Sequence, residues 1–314
     1  MKKIFFVALT IVIITTILSG CGKNDNKNLE KITMTYVTSP LNVPSIIDKE
    51  NQVFVDKFKE DGISVEYAEI LSGADQTQAL ASGDVQILYA VGASSVILSA
   101  ANDADIKILN TYSRSPESFT LYSKDDKIKS PKDLVGKTIA GPAGTNLHEL
   151  LVAYLEKENL TINDVNYVNM SIGDAKAGLD GGSVDVALLA GVSAYNAKQQ
   201  GYNLVTDGKG LIDAIIVVAL KQEFYDNNKE VVDKFYTYQQ ELNQYINDNV
   251  DESLSIVAKN LDLEESAVKE MYSQYDFSLD ITEQDKLGLQ KTADFMFKNG
   301  MIDKEIDINT LFLK

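Results

Sequence analysis

Two stretches of this chain carry nearly the same phrase, Ala81-Ser82-Gly83-Asp84-Val85 and Asp180-Gly181-Gly182-Ser183-Val184-Asp185-Val186. Each phrase ends a helical pattern and opens an apolar strand. One Gly-Asp turn is an ordinary helix stop, but two at matching positions in the two halves indicate a single α/β plan used twice. The surrounding pattern agrees. Apolar, β-branched runs at 32–37, 63–70, 85–91 and 106–112 alternate with helical patterns that run through 58 and over 76–82 and 93–101. A second set of runs at 119–123, 138–140, 165–169, 184–189 and 214–220 alternates with helices at 147–157 and 175–180. Strands alternating with helices predict the α/β class with parallel sheets, the second set of strands building the second sheet. From 230 onward the patterns 230–249, 253–260, 264–275 and 282–299 are helical with no strands between them, giving a helical C-terminal region.

The N-terminus has its own grammar. A basic Met1-Lys2-Lys3 precedes an apolar run over 4–17 interrupted only by Thr10, Thr15 and Thr16, the pattern of a secretion signal. That run is shorter than the ~20 residues needed to span a bilayer. It ends in Leu18-Ser19-Gly20-Cys21, which resembles a bacterial lipobox. The resemblance implies a lipoprotein signal peptide over 1–20, lipidation of Cys21 and a polar, lipid-anchored tether over 21–31. The chain would then sit at the cell membrane on its extracytoplasmic face. Cys21 is the only cysteine, which excludes disulfides and cysteine-based redox or metal chemistry in the folded part. A net charge of −17 argues against nucleic acid and against broad adhesion to anionic lipid. Attachment to the membrane therefore falls to Cys21 alone, and any anionic ligand must be held by local donors against the global field.

The phrase IKSPKDLVGKTI at 128–139, the glycine-rich turn and helix after it, the two Gly-Asp/Gly-Ser phrases and the closing helix that ends near Asn299-Gly300 resemble the substrate-binding proteins of ABC importers. The group concerned serves nitrate, sulfonates, taurine and thiamine precursors. The resemblance implies a type II periplasmic-binding-protein-like fold: two α/β lobes with a ligand cleft between them, joined by two crossover strands. Lobe I would be 32–113 plus 221–314, and lobe II 114–220. It further implies a monomer without cofactor that closes on a small organic ligand, with a sulfonate, taurine or nitrate-like anion or zwitterion favoured, and passes it to an ABC permease and its ATPase. An enzyme of the thiamine-pyrimidine type on the same scaffold is the alternative, but that group depends on a cysteine-rich motif the mature chain lacks. No Ser-His-Asp order or metal-spaced cluster replaces it. A ligand-sensing surface receptor is a third reading.

Open α/β sheets hold ligands at the C-terminal ends of their strands, which directs attention to the loops at 38–44, 71–76, 92–95, 112–118, 143–148, 173–174, 190–193 and 211–213. The strand-turn-helix LVGKTIAGPAGTNLHELL at 134–151 stands out. Its glycines, Gly144 among them, permit a tight turn, Thr145 or Asn146 is placed to cap the helix, and the first N–H groups attract an anion. His148, the only histidine, lies in that first turn. Arg114, the only arginine, stands at the predicted crossover, where a planar fork suits a carboxylate, sulfonate or phosphate. The other ligand-binding candidates are Thr38, Ser39 and Asn42; Ser72, Gly73, Asp75 and Gln76; Gly92 and Ser94; Asp174; Gly191 and Ser193; and Asp213. The carboxylates Asp75, Asp174 and Asp213 favour an amine-bearing ligand. No catalytic or metal-ligating residue is expected.

Overall fold

A computed structural model of the chain describes residues 29–313, so the leader and Cys21 lie outside the described residues. The chain enters β1 (Lys31–Tyr36), passes through α1 (Val43–Asn51) and α2 (Val53–Lys59), and returns as β2 (Ser64–Glu69) alongside β1. Next come α3 (Gly73–Ser82), β3 (Ile87–Gly92), α4 (Ala93–Ala101) and β4 (Lys107–Arg114). A single turn at 116–118 carries the chain across to β5 (Phe119–Ser123). The second unit follows as β6 (Thr138–Gly141), α5 (Asn146–Glu156), β7 (Asn166–Asn169), α6 (Ile172–Gly181), β8 (Val186–Ala190), α7 (Gly191–Gln199) and β9 (Asn203–Asp207). The segment 208–214 crosses back into β10 (Ile215–Leu220). The helices α8 (Gln222–Asn227), α9 (Lys229–Asp248), α10 (Val250–Leu261), α11 (Glu265–Tyr272) and α12 (Glu283–Lys298) follow, and a segment with one 3-10 turn at Ile308–Leu311 ends the described chain.

The strands form two five-stranded sheets, ordered β2-β1-β3-β10-β4 and β7-β6-β8-β5-β9. The repeated phrase has a simple cause. Gly83 and Gly182 end α3 and α6 in the left-handed region, at φ 87° and 76°, where a residue without Cβ is least strained.

Two expectations need correction. The sheets are mixed rather than parallel, because β10 runs antiparallel to β3 and β4 and β5 runs antiparallel to β8 and β9. These two strands are entered by short crossings instead of by a helix that returns the chain to the starting edge, so each arrives from the opposite end. The run at 214–220 also belongs to the first sheet, not the second. All of Ile215–Leu220 is buried, as a strand with neighbours on both sides and layers on both faces requires.

The principal core runs through both units, and in its first-sheet part Phe54, Tyr89 and Phe235 pack with ring centroids 5.0–5.9 Å apart. Beside it sits Asp48, buried, accepting hydrogen bonds from the Phe54 N–H at 2.8 Å and the Tyr67 hydroxyl at 2.7 Å. Those bonds favour the carboxylate, but desolvation outweighs them and pushes the group from 3.8 up to about 7. The folded state thus keeps a proton that the unfolded chain releases near 3.8. The resulting stabilisation is fully present below that value and is lost as pH rises through about 7. Denaturant melts are expected to show stability falling by up to about 1.4 kcal/mol per pH unit across this window, and Asp48→Asn should remove that contribution to the slope.

Candidate functional site

Loops at the C-terminal ends of β1, β2, β3, β6 and β7 meet around a cavity of about 430 Å³ between the two sheets. Its polar lining comes largely from helix starts. Ser72 and Gly73 open α3, Gly92 and Ser95 bracket the first turn of α4, Thr145 and Asn146 open α5, and Ser171 precedes α6. The helices differ in how those starts are satisfied. Ser72 and Ser171 each accept a bond from the backbone N–H three residues on, at 3.1 Å. No side chain caps α4 or α5. The Thr145 hydroxyl, in position to cap α5, instead donates to the Pro142 carbonyl at 2.8 Å. Two uncapped helix starts, one from each unit, therefore present positive dipole ends to the same space.

The walls are apolar: Val37, Leu71, Phe119, Leu147, Ile172 and Ile216 supply most of the remaining surface. Among the described residues, no lysine, arginine or histidine lines the cavity, and Glu69 is its only ionisable side chain. The two units touch closely at its edge. Gly191, at φ +56°, packs so near the Pro40 carbonyl that a Cβ there would lie 1.6 Å from its oxygen, and the Ser95 hydroxyl donates to the Gly144 carbonyl at 2.9 Å.

Residues 57–252 match the family model described as NMT1/THI5 like. The chain belongs to the NMT1/THI5-like family. A Bacillus subtilis (strain 168) protein named for binding aliphatic sulfonates is 26% identical over 98% of this chain and 93% of its own length. The taurine-binding periplasmic protein of Escherichia coli (strain K12) is 30% identical over 65% of this chain and 62% of its own. Among solved structures, the alkanesulfonate-binding protein SsuA of Xanthomonas axonopodis pv. citri, bound to MOPS, superposes with a TM-score of 0.82 at 18% identity, covering 90% of this chain and 98% of that one. The two-unit α/β fold is therefore that of periplasmic binding proteins, and these relatives are named as binding proteins rather than as enzymes.

Within this NMT1/THI5-like fold, Thr38, Ser39, Ser72, Gly73, Gln76, Gly92, Thr145, Asn146 and Ser193 line the cavity. The other candidates are not among the lining residues, each for a structural reason. Asn42 is buried and donates to the carbonyls of Val37 and Ser39. Asp75 and Asp174 take the hydroxyl protons of Ser72 and Ser171, so their carboxylates fasten helix starts. Asp213 packs on Gly288 of α12. Ser94 is fully buried, Gly144 packs against Leu98, and Gly191 serves the contact with Pro40. His148 accepts from the Gly144 N–H through Nδ1 at 3.2 Å and stacks on Tyr167 at 4.9 Å, and burial lowers its pKa. Glu69, Ser171 and the apolar walls from Val37, Phe119, Ile172 and Ile216 were not singled out from the sequence. Ser171 carried a usable signal, since Ser171-Ile172-Gly173-Asp174 repeats the spacing of Ser72-Gly73-Ala74-Asp75.

Arg114 is the clearest correction to the anion-seat expectation. Its guanidinium grips Asp285 at 2.5 and 2.6 Å and donates to the Ser278 and Asp280 carbonyls, tying the end of β4 to the start of α12. The pair is largely shielded, with side-chain exposures of 18% and 5%, so removing one partner strands the other charge. Arg114→Ala is expected to destabilise the fold by ~3 kcal/mol in denaturant melts while the ligand affinity of the remaining folded protein stays unchanged.

Proposed function

We propose that this protein is an extracytoplasmic solute-binding component of an ABC importer that captures a small organic sulfonate, with an amine-bearing one preferred, by closure of its two units. The observation that carries the reading is the cavity itself: two uncapped helix starts aimed at one apolar space with no cationic side chain among its described lining residues. Backbone N–H groups at helix starts hold a tetrahedral anion without a formal positive charge. The apolar walls suit the carbon body of such a ligand, and a volume of about 430 Å³ exceeds what a bare inorganic anion fills. Glu69, at the end of β2, is placed to take an ammonium group. The names of the relatives in Bacillus subtilis and Escherichia coli support the same ligand class. In this reading Cys21 carries the lipid that holds the protein at the membrane, the crossings at 115–118 and 208–214 act as the hinge, and the closed form delivers its ligand to a permease.

Calorimetry is expected to detect binding of butanesulfonate and 2-aminoethanesulfonate, with nitrate and sulfate weaker because they leave the apolar walls uncovered. Silence from every organic sulfonate would overturn the reading. Glu69→Gln should weaken 2-aminoethanesulfonate about five- to tenfold and leave butanesulfonate unchanged; equal effects on both would remove Glu69 from ammonium recognition. Gly191→Ala should hold the units apart at Pro40, so that X-ray scattering no longer registers compaction on adding ligand and affinity drops by an order of magnitude or more, about 1.4 kcal/mol.

A further inference from the structure

Behind the cavity, Asn146 and Glu149 share one face of α5, three residues apart, and both reach out of their own unit. Ser94 Oγ, on α4, lies 2.7 Å from Asn146 Oδ1 and 2.7 Å from Glu149 Oε2. The Thr292 hydroxyl, on α12, donates to Glu149 Oε1 at 2.8 Å. Asn146 Nδ2 points to the Ile215 carbonyl at 3.4 Å, which sets the orientation of the amide and leaves Oδ1 toward Ser94. Counting protons around Ser94 gives a constraint. Its oxygen has two close oxygen neighbours but only one hydroxyl proton. Asn146 Oδ1 can only accept, so the Ser94 proton goes there. The contact between Ser94 Oγ and Glu149 Oε2 then needs a proton from Glu149.

We infer that Glu149 is a positioning residue that acts as a neutral carboxylic acid, donating to Ser94, which in turn donates to Asn146, so that one buried proton fixes a cavity-lining amide. The surroundings favour this state. Glu149 is buried, and desolvation raises its pKa against the two hydroxyl contacts. Of the charges that act on it, Asp213 opposes ionisation and Lys291 on α12 favours it. The helix that carries Ser94, Ala93–Ala101, has no titratable side chain, nor has β10. Asp285, also on α12, is neutralised by Arg114, and His148 faces Gly144 and Tyr167. Losing the proton would set a carboxylate beside two oxygens that share a single hydrogen. The Asn146 amide would be released, and binding would weaken as pH rises. The folded state holds this proton above the ordinary glutamate pKa, so the associated stability is present at low pH and is lost as pH rises through the raised value.

The test compares the wild type with Glu149→Gln, whose amide can donate to Ser94 through nitrogen and accept from Thr292 through oxygen. Infrared difference spectra from about pH 5 to about pH 9 read the protonated-carboxyl C=O stretch directly and need no ligand. Asp48 contributes a carboxyl band to both proteins, and the expected result is a further component present in the wild type at the acid end, missing from Glu149→Gln and fading as pH rises. A band identical in both proteins would mean that Glu149 is ionised, and would overturn the inference. The second arm uses butanesulfonate, whose charge does not change over this range. Its Kd should rise about tenfold in the wild type as that component fades and stay flat in Glu149→Gln and in Ser94→Ala, the latter starting weaker. A flat wild-type Kd across the fading component would overturn the coupling to the cavity. This affinity arm rests on the proposed sulfonate reading and the infrared arm does not. Absence of butanesulfonate binding at every pH therefore counts against that reading alone, and the proton assignment is then decided by the spectra.

Discussion

The placement of α5 is the constraint on which the rest depends. This helix packs in the layer of the second sheet, yet its first turns are fastened to the first. Asn146 and Glu149 meet Ser94 and Thr292, the Asn146 amide reaches the Ile215 carbonyl, and the Gly144 carbonyl receives the Ser95 hydroxyl. These bonds bring the uncapped starts of α4 and α5 together at one end of both sheets. Without them, each would be an ordinary helix start open to water. Because the residues making the bonds are buried, an unmet partner among them would be costly, so the arrangement is discrete and not gradually adjustable.

The cavity answers an electrostatic difficulty posed by the whole chain. At a net charge of −17, the surface repels anions at long range. Lysine and arginine heads in the cavity could offset that field, but none lines it among the described residues, and Arg114 is committed to Asp285. What remains are the fixed dipoles of backbone N–H groups, short in range and set in apolar surroundings where the local dielectric makes them stronger than in water. In the proposed reading such donors would hold a ligand with a compact, permanently ionised head. Glu69 adds a single acidic side chain to the lining, and in the proposed reading it is the partner of a ligand ammonium group.

The Arg114–Asp285 pair has a separate task. It joins the last residue of β4, just before the first crossing, to the capping box of α12, in which Asp285 also accepts from Thr282. Since α12 in turn presents Thr292 to Glu149, the crossing, the C-terminal helices and α5 form one connected support beside the cavity. The long helical region after β10 is thus not an appendage; it closes the back of the fold.

The alternation of apolar strands and helices, the paired phrases ending in Gly83 and Gly182, and the helical C-terminal run specified the α/β class and the two-sheet plan, because those signals are local: period, glycine and cap act within a few residues. Half of the cavity was legible for the same reason, since loops following parallel strands must gather at one end of a sheet. The direction of β5 and β10 was not, because it depends on how the chain crosses between sheets. Nor could the sequence separate a capping aspartate from a ligand-binding one. Asp75 and Asp174 are consumed by serines three residues earlier, Arg114 by a carboxylate 171 residues away, and Glu69 is left facing the cavity. What the sequence alone determined is which helix starts exist and which of them carry a side chain able to cap. Only the tertiary structure decided which polar groups are already satisfied by one another, and so which remain for a ligand.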